Sequence, residues 1–262
     1  MNEGYVDTHC HLVSKHFEKD AVEVARRSIA AGVRMLTVSA DVADSYRSVL
    51  LAEQCPGVRA GVGVHPTEAG TLDDVAWTEI EYLAQKPQVV AVGETGLDYY
   101  WKDCPPDVQK RWFVKHIELS LALGKPLSVH ARDSVQDTLS VLEPYFADGL
   151  KVIWHCFVAG RKEIGPALDF AAKHGVRLGI GGLVTFEDQK PLRECAARIP
   201  DELLLLETDA PYLTPRPKKA DRNEPPGVIR VAEVLGELRG VDSEEIRETT
   251  TRNSDALLGG WK

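Results

Sequence analysis

Eight short runs of β-branched and aliphatic residues alternate along this chain with longer amphipathic segments, and this alternation constrains the fold more than any other feature. The runs are residues 5–8, 34–39, 59–64, 89–93, 127–129, 152–154, 177–180 and 203–206. Alternating strands and helices are typical of βα units with parallel strands. Eight units predict an α/β fold, a TIM (β/α)₈ barrel. An open doubly wound sheet is the alternative, because alternation alone does not prove closure.

The segments between these runs show helical periodicity. Over residues 108–123, apolar side chains recur every three or four positions along one stripe. This helix ends before Gly124, and glycine also precedes the following strand at Gly32 and Gly175, where a left-handed conformation can close a helix. Two further helices are predicted at about 227–239 and 243–258.

The length and composition fit one domain. The chain has 262 residues, of which 44% are hydrophobic and 27% charged, and about 250 residues are typical of one α/β barrel. No linker of proline, glycine and serine divides it, since the proline-rich stretch 211–217 follows the eighth strand, where a long βα loop would lie. We therefore predict a single domain over residues 1–262.

The hydropathy pattern and the cysteines predict a soluble, cytoplasmic protein. Residues 1–7 lack the basic start and apolar stretch of a secretory signal, and no apolar run approaches the roughly 18 residues that span a bilayer. The five cysteines are scattered without a CxxC pair, so reduced thiols are expected. We expect no membrane association and no obligate protein partner.

The net charge of −9 argues against broad adhesion to nucleic acid. A substrate that contains phosphate would need bound cations or a local basic patch. One candidate patch comprises Arg216, Lys218, Lys219 and Arg222. A solvated loop is the alternative interpretation of that patch.

Residue types that bind metal ions stand at the ends of five of the predicted strands. They are His9, His11, Glu94, His130, His155, Glu207 and Asp209. Two imidazoles two positions apart in an extended segment point the same way and can bind one cation together. Because the strand ends of a parallel barrel converge on one face, these side chains predict a metal centre at the carboxyl-end mouth.

Two further histidines and one acid have different expected roles. His116 lies on an apolar helical stripe and is expected in the core, whereas His65 follows the third strand and is expected to contact substrate. Glu207 shares a face with Asp209 only if the strand continues through Asp209, so Asp209 is the stronger ligand candidate.

Eight blocks of the sequence, read in order, resemble one known family. They are DTHCHL (7–12), GVHP (63–66), VGETGLDYY (92–100), VHARD (129–133), HCF (155–157), VTF (184–186), ETDAPYL (207–213) and RNEP (222–225). One block alone is weak, but eight in order are specific. The chain thereby resembles the TatD family of metal-dependent deoxyribonucleases in the amidohydrolase superfamily.

The resemblance implies a TIM barrel that binds two divalent metal ions. It assigns one ion to His9, His11 and Asp209, the other to His130 and His155, and a bridging role to Glu94. It also implies metal-dependent exonuclease activity on DNA. Mg²⁺ is associated with the family, whereas mixed imidazole and carboxylate ligands suit Zn²⁺ or Mn²⁺ better. The choice among Zn, Mn and Mg stays open.

We predict that a water molecule activated by two metal ions cleaves a DNA phosphodiester bond. Asp209 is expected to be both ligand and general base, and Glu94 to set the separation of the ions. His65 and Arg132 are candidates for phosphate contacts and Tyr212 for stacking on a base. A salt bridge at the barrel rim is the alternative for Arg132, and packing within the loop is the alternative for Tyr212.

A DNA end or another phosphoester is the expected substrate, with one rival enzyme class. An amidohydrolase-superfamily enzyme that acts on another phosphoester, a lactone, an ester or an amide would carry the same ligands. Such enzymes often bridge their metals with a carboxylated lysine from the fourth strand, where this chain has Glu94. A non-catalytic metal-binding protein is disfavoured because every ligand position is filled.

Overall fold

The computed structural model describes residues 4–158, 160, 162–217 and 222–259. Strands and helices alternate along them in the order β1 (Tyr5–Cys10), α1 (Ala21–Ala30), β2 (Val33–Thr37), α2 (Val42–Gln54), β3 (Val58–Val62), α3 (Asp74–Ala84), β4 (Val89–Asp98), α4 (Pro106–Leu123), β5 (Leu127–Arg132), α5 (Val135–Leu142), β6 (Val152–Trp154), α6 (Ile164–His174), β7 (Arg177–Ile180), α7 (Lys190–Ala196), β8 (Leu204–Leu206), α8 (Gly227–Arg239) and α9 (Ser243–Leu258). Short 3₁₀ turns lie at Ala69–Thr71, Glu143–Asp148, Gly182–Thr185 and Asp201–Leu203.

The eight strands form one parallel sheet in sequence order, from β1 to β8. The sheet closes where the segment after β8 meets β1. There the backbone N–H of His11 donates to the carbonyl of Ala210 at 2.7 Å, and that of Asp209 donates to the carbonyl of His9 at 2.9 Å. The predicted TIM barrel is confirmed, and the open doubly wound sheet is excluded.

The predicted strands are all present, but three extend further toward the mouth than predicted. β1 continues to Cys10, β5 to Arg132 and β4 to Asp98. β4 and β5 remain paired as far as Asp98 and Arg132. Glu94 therefore lies inside a strand rather than after its end, because backbone pairing with β5 continues beyond the apolar run.

Two apolar layers hold the barrel. Side chains that point inward form one buried cluster, with Leu36, Ala91, Ile153 and Leu205 among its members, and Leu258 of α9 packs against it. Their strand neighbours point outward and pack beneath the helices. Two positions beyond Ile153 and Leu205, the inward-facing positions become polar, with His155 and Glu207. The apolar interior thus forms the floor of the mouth.

The sequence also predicted the state of the cysteines and the absence of membrane spans. The five cysteines are free thiols, as predicted. Within the described ranges, no helix combines the length and apolar character that a membrane crossing requires.

Candidate metal centre

Glu94 lies at the centre of the mouth, with only 2% of its surface exposed. Its carboxylate oxygens face two different pairs of imidazoles. Oε2 lies 3.5 Å from Nε2 of both His9 and His11, and Oε1 lies 2.9 Å from Nε2 of His155 and 3.1 Å from Nδ1 of His130. One carboxylate therefore stands between two groups of nitrogen atoms.

The first donor group comprises His9, His11 and Asp209. Nε2 of His11 lies 3.3 Å from Nε2 of His9 and 3.3 Å from Oδ1 of Asp209. Because β8 ends at Leu206, Asp209 reaches the site through a left-handed backbone turn with φ of 56°. The donor atoms of these three residues lie within 4.8 Å of one another, a spacing suitable for a metal ion.

The second donor group comprises His130 and His155. Nδ1 of His130 lies 3.2 Å from Nε2 of His155. The remaining nitrogen of each ring faces a carboxylate, since His130 Nε2 lies 2.9 Å from Oδ2 of Asp98 and His155 Nδ1 lies 3.6 Å from Oε1 of Glu207. Such outer carboxylates fix the tautomer and orientation of an imidazole that binds a metal ion.

Glu207 lies below the metal centre and is fully buried. Its Oε1 accepts a hydrogen bond from the backbone N–H of Cys156 at 2.6 Å. Gly179 on β7 leaves space for this carboxylate, because a Cβ atom there would lie 2.0 Å from Oε2 of Glu207. The Glu207 carboxylate therefore lies near Nδ1 of His155 but beyond hydrogen-bond distance, while Asp209 faces the first donor group.

His65 reaches the wall of the mouth, close to both the second donor group and Glu94. Its ring centroid lies 4.4 Å from that of His130, and its Nε2 lies 3.9 Å from Oε1 of Glu94. Thr67 Oγ1 lies 2.7 Å from Nδ1 of His65 and fixes the ring. Burial and the neighbouring His130 lower the pKa of His65 to about 3, so this imidazole is neutral.

Both carboxylates of the centre are ionised, although Glu94 is buried and Asp209 is only partly exposed. Burial alone would raise the pKa of Glu94, but the surrounding imidazoles hold it well below its usual range. Burial also opposes the ionisation of Asp209, whose pKa is lowered by its hydrogen bond with His11. Two anionic carboxylates among imidazole nitrogens form a donor set suited to divalent cations of the zinc and manganese type.

Arg132 ends β5 and Tyr212 follows β8, so the two residues reach the mouth from different strands. Arg132 is exposed, and its guanidinium carbon lies 3.9 Å from the ring centroid of Tyr100; among the described residues it stacks on this ring and forms no salt bridge. Tyr212 is 49% exposed, and its ring lies edge-on to those of His11 and His16 at 6.2 and 5.7 Å.

Two of the four residues of the predicted basic patch, Arg216 and Arg222, make internal contacts. Arg222 pairs with Asp20 at 2.7 Å and with Glu224 at 3.0 Å, and Arg216 stacks on Phe186 at 4.0 Å. Lys218 and Lys219 lie outside the described residues. Arg222 therefore anchors the loop to the segment before α1.

Two acids that support the centre were not identified from the sequence as functional residues. Asp98 holds His130, as described above. Asp7 is buried and accepts hydrogen bonds from the backbone N–H and the hydroxyl of Thr208, at 3.0 and 2.5 Å. Asp7 precedes His9 by two positions on the same strand face, and this spacing was the available signal.

Imidazole and carboxylate donors that converge at the carboxyl end of a TIM barrel define the class of barrel-mouth metal-dependent hydrolases. The family described as TatD related DNase matches residues 6–259. The chain belongs to the TatD family and is a metal-dependent hydrolase.

Similar proteins cover this chain almost completely. It is 37% identical over 255 residues to the uncharacterized metal-dependent hydrolase YabD of Bacillus subtilis, covering 96% of this chain and 98% of that protein. It is 34% identical over 259 residues to the 3′-5′ ssDNA/RNA exonuclease TatD of Escherichia fergusonii, covering 97% and 98%. The crystal structure of the TatD homologue YJJV of Escherichia coli K12 has a TM-score of 0.90 at 26% identity, with 99% of each chain covered.

Proposed function

We propose that this chain is a two-metal deoxyribonuclease, an exonuclease that hydrolyses DNA phosphodiester bonds. The placement of Glu94 carries the proposal, because its two oxygens face two separate groups of nitrogen ligands. Two adjacent cations are the usual arrangement for in-line displacement at phosphorus. The exonuclease name of the Escherichia fergusonii relative supports the choice of substrate.

The positions of the donor atoms support one assignment of ligands to the two ions. His9, His11 and Asp209 would hold the first ion, His130 and His155 the second, and Glu94 would bridge them. When bound, the cations supply charge that polarises a phosphoryl oxygen and lowers the pKa of a water molecule.

The protein's own side chains supply the proton transfer and the orientation. Asp209 is anionic and lies 15% exposed at the mouth, so a carboxylate oxygen can accept the proton of the attacking water. Asp98 would accept a hydrogen bond from the Nε2–H of His130, which leaves the Nδ1 lone pair available to the second ion. Neutral His65 is positioned to donate a hydrogen bond to a phosphate oxygen through Nε2.

Oligonucleotide digestion tests the proposal. Single- and double-stranded DNA labelled at the 3′ or the 5′ end would be incubated with protein reconstituted with Mg²⁺, Mn²⁺ or Zn²⁺. We expect stepwise release of mononucleotides from one end of the single strand. Asp209→Asn, purified in parallel, is the control for contaminating nucleases, and its turnover should fall by about 10²–10⁴-fold, as for loss of a general base.

Parallel assays with phosphomonoesters, carboxylic esters and lactones address the rival activity. Hydrolysis of esters or lactones without cleavage of DNA would assign this chain to the other amidohydrolase-type reactions. Wild-type turnover by Asp209→Asn, with its metal content intact, would contradict the role of Asp209 as base.

A further inference from the structure

Two exposed aromatic side chains at the mouth take no part in the metal centre. Tyr100 and Trp101 lie in the loop that begins with Tyr99 after the end of β4 at Asp98, and each is 51% exposed. Their ring centroids lie 5.0 Å apart with an interplanar angle of 88°. The exposed half of each side chain leaves aromatic surface on which a further ring could stack.

Arg132 places a positive charge against these rings. Its guanidinium carbon lies 3.9 Å from the ring centroid of Tyr100 and 5.9 Å from that of Trp101. Within the ranges that the structure describes, Arg132 has no carboxylate in ion-pair contact. The guanidinium therefore keeps its charge and several N–H donors for an external anion.

Asp98 fixes this aromatic loop to the second donor group. Its Oδ1 accepts hydrogen bonds from the backbone N–H groups of Tyr100 and Trp101, both at 2.9 Å. Its Oδ2 lies 2.9 Å from Nε2 of His130. One buried carboxylate thus joins the two exposed rings to a metal-ligand candidate, and the rings border the mouth.

We propose that Tyr100, Trp101 and Arg132, termed here the aromatic platform, bind a nucleobase and an adjacent phosphate of single-stranded nucleic acid. This inference rests on the proposed function and assigns a substrate contact to it. Every nucleobase has a π face that can stack on tyrosine or tryptophan, and the guanidinium complements the phosphate charge. A duplex buries its base faces in its own stack, so the platform selects an unpaired strand.

Binding in the Asp209→Asn background tests the platform without cleavage. A labelled single-stranded DNA of about ten nucleotides would be titrated and followed by fluorescence anisotropy. We expect Trp101→Ala and Tyr100→Ala each to raise Kd by about 5- to 100-fold, the range that stacking of one base supports. Arg132→Gln should also reduce the salt dependence of binding. The slope of log Kd against the logarithm of the salt concentration should fall by about 0.7 for one lost phosphate contact.

Tyr82 on α3 supplies a matched control. It is 52% exposed, and Lys86 lies over its ring at 4.1 Å, so it has both the exposure and the stacked cation of Tyr100. It lies near the carboxyl end of α3, which precedes β4 and thus belongs to the face opposite the mouth. Tyr82→Ala should leave Kd and the salt dependence unchanged.

The possible results separate the platform from the nuclease. Equal Kd values for Trp101→Ala, Tyr100→Ala and their parent would overturn the platform, even if the wild-type protein degrades DNA. Binding that depends on these residues would support the platform, even if the wild-type protein cleaves no DNA and the nuclease proposal fails. Absence of both binding and cleavage would reject both.

Discussion

Three imidazoles near Glu94, those of His9, His130 and His155, have one nitrogen directed toward its carboxylate and the other near a second polar group. Nδ1 of His9 lies 3.4 Å from Ser128 Oγ, and His130 and His155 face Asp98 and Glu207. Outer partners of this kind decide which lone pair is available to a metal ion, and their loss usually weakens metal binding by about 10–100-fold. The centre therefore depends on buried residues that never contact substrate.

Metal affinity should fall as the pH falls, because protons compete with metal ions for His130 and His155. Burial lowers the pKa of these imidazoles, but the carboxylates beside them outweigh burial, and the pKa of each is raised above its usual value. A protonated imidazole cannot bind a metal ion, so affinity is lost as the pH drops through these raised values.

Competition with a chromogenic chelator at pH 8, 7 and 6 measures this effect. Each proton released on binding changes the metal affinity tenfold per pH unit. We therefore expect the logarithm of the association constant to rise by between one and two for each pH unit. His65 is neutral over this range, since its pKa is about 3, and His65→Asn should preserve the slope. A metal Kd that stays constant from pH 8 to pH 6 would contradict the prediction.

At the scale of elements, the sequence predicted which strands exist better than where they end. β6 and β7 have the predicted bounds because their short apolar runs coincide with the paired backbone. β4 continues to Asp98 through polar and glycine residues, where pairing with β5 rather than hydropathy maintains the strand. Tertiary pairing of this kind is not visible in one-dimensional periodicity.

For the candidate site, the sequence predicted the metal-ligand candidates but not the contacts of the surrounding loops. His9, His11 and His130 were identified because donor residues at strand ends of a barrel converge on one face. The stacking of Arg132 on Tyr100 was not, because it depends on the conformation of the loop after β4. Glu207 was left ambiguous, since its direction depends on where β8 ends.

Gly179→Ala should disturb the metal centre from the neighbouring strand. A Cβ atom on β7 would lie 2.0 Å from Oε2 of Glu207, and overpacking of this kind costs about 1–3 kcal/mol. We expect a lower free energy of unfolding, measured in urea, and weaker metal binding, because displacement of Glu207 would disturb its hydrogen bond with the backbone of Cys156, the residue after His155.

Gly165→Ala is the matched control on α6. A Cβ atom there meets no heavy atom within 4 Å, and alanine in a helix is favoured over glycine by about 0.5–1 kcal/mol. The free energy of unfolding should therefore stay constant or rise slightly. If the Gly179→Ala variant and the wild type had equal stability and metal affinity, β7 or Glu207 would have shifted to accommodate the new Cβ atom, and the prediction would be wrong.

At the scale of the whole molecule, removal of metal should lower the thermal stability of the barrel. The donor groups exist only when the strands are assembled, so ions bind the folded state alone. Saturation at 100 times Kd contributes about 2.7 kcal/mol for one site, which corresponds to roughly 5–10 °C in Tm for a protein of this size.

Calorimetry with chelator and with added Mn²⁺ or Zn²⁺ measures this shift. The double variant His130→Asn and His155→Asn should keep the fold, bind about half as much metal by mass spectrometry, and show a smaller shift. An unchanged metal stoichiometry in the double variant would contradict the assignment of these residues to the second ion.

The hydrogen bond between Asp7 and Thr208 joins positions 201 residues apart, and this separation governs when the centre can form during protein synthesis. At about 5–20 residues per second, a ribosome needs roughly 10–40 s to travel from the codon of His9 to that of Asp209. A nascent chain paused anywhere in that interval carries both histidines without their carboxylate partner. Chemistry that depends on the first ion therefore cannot begin before Asp209 has been translated.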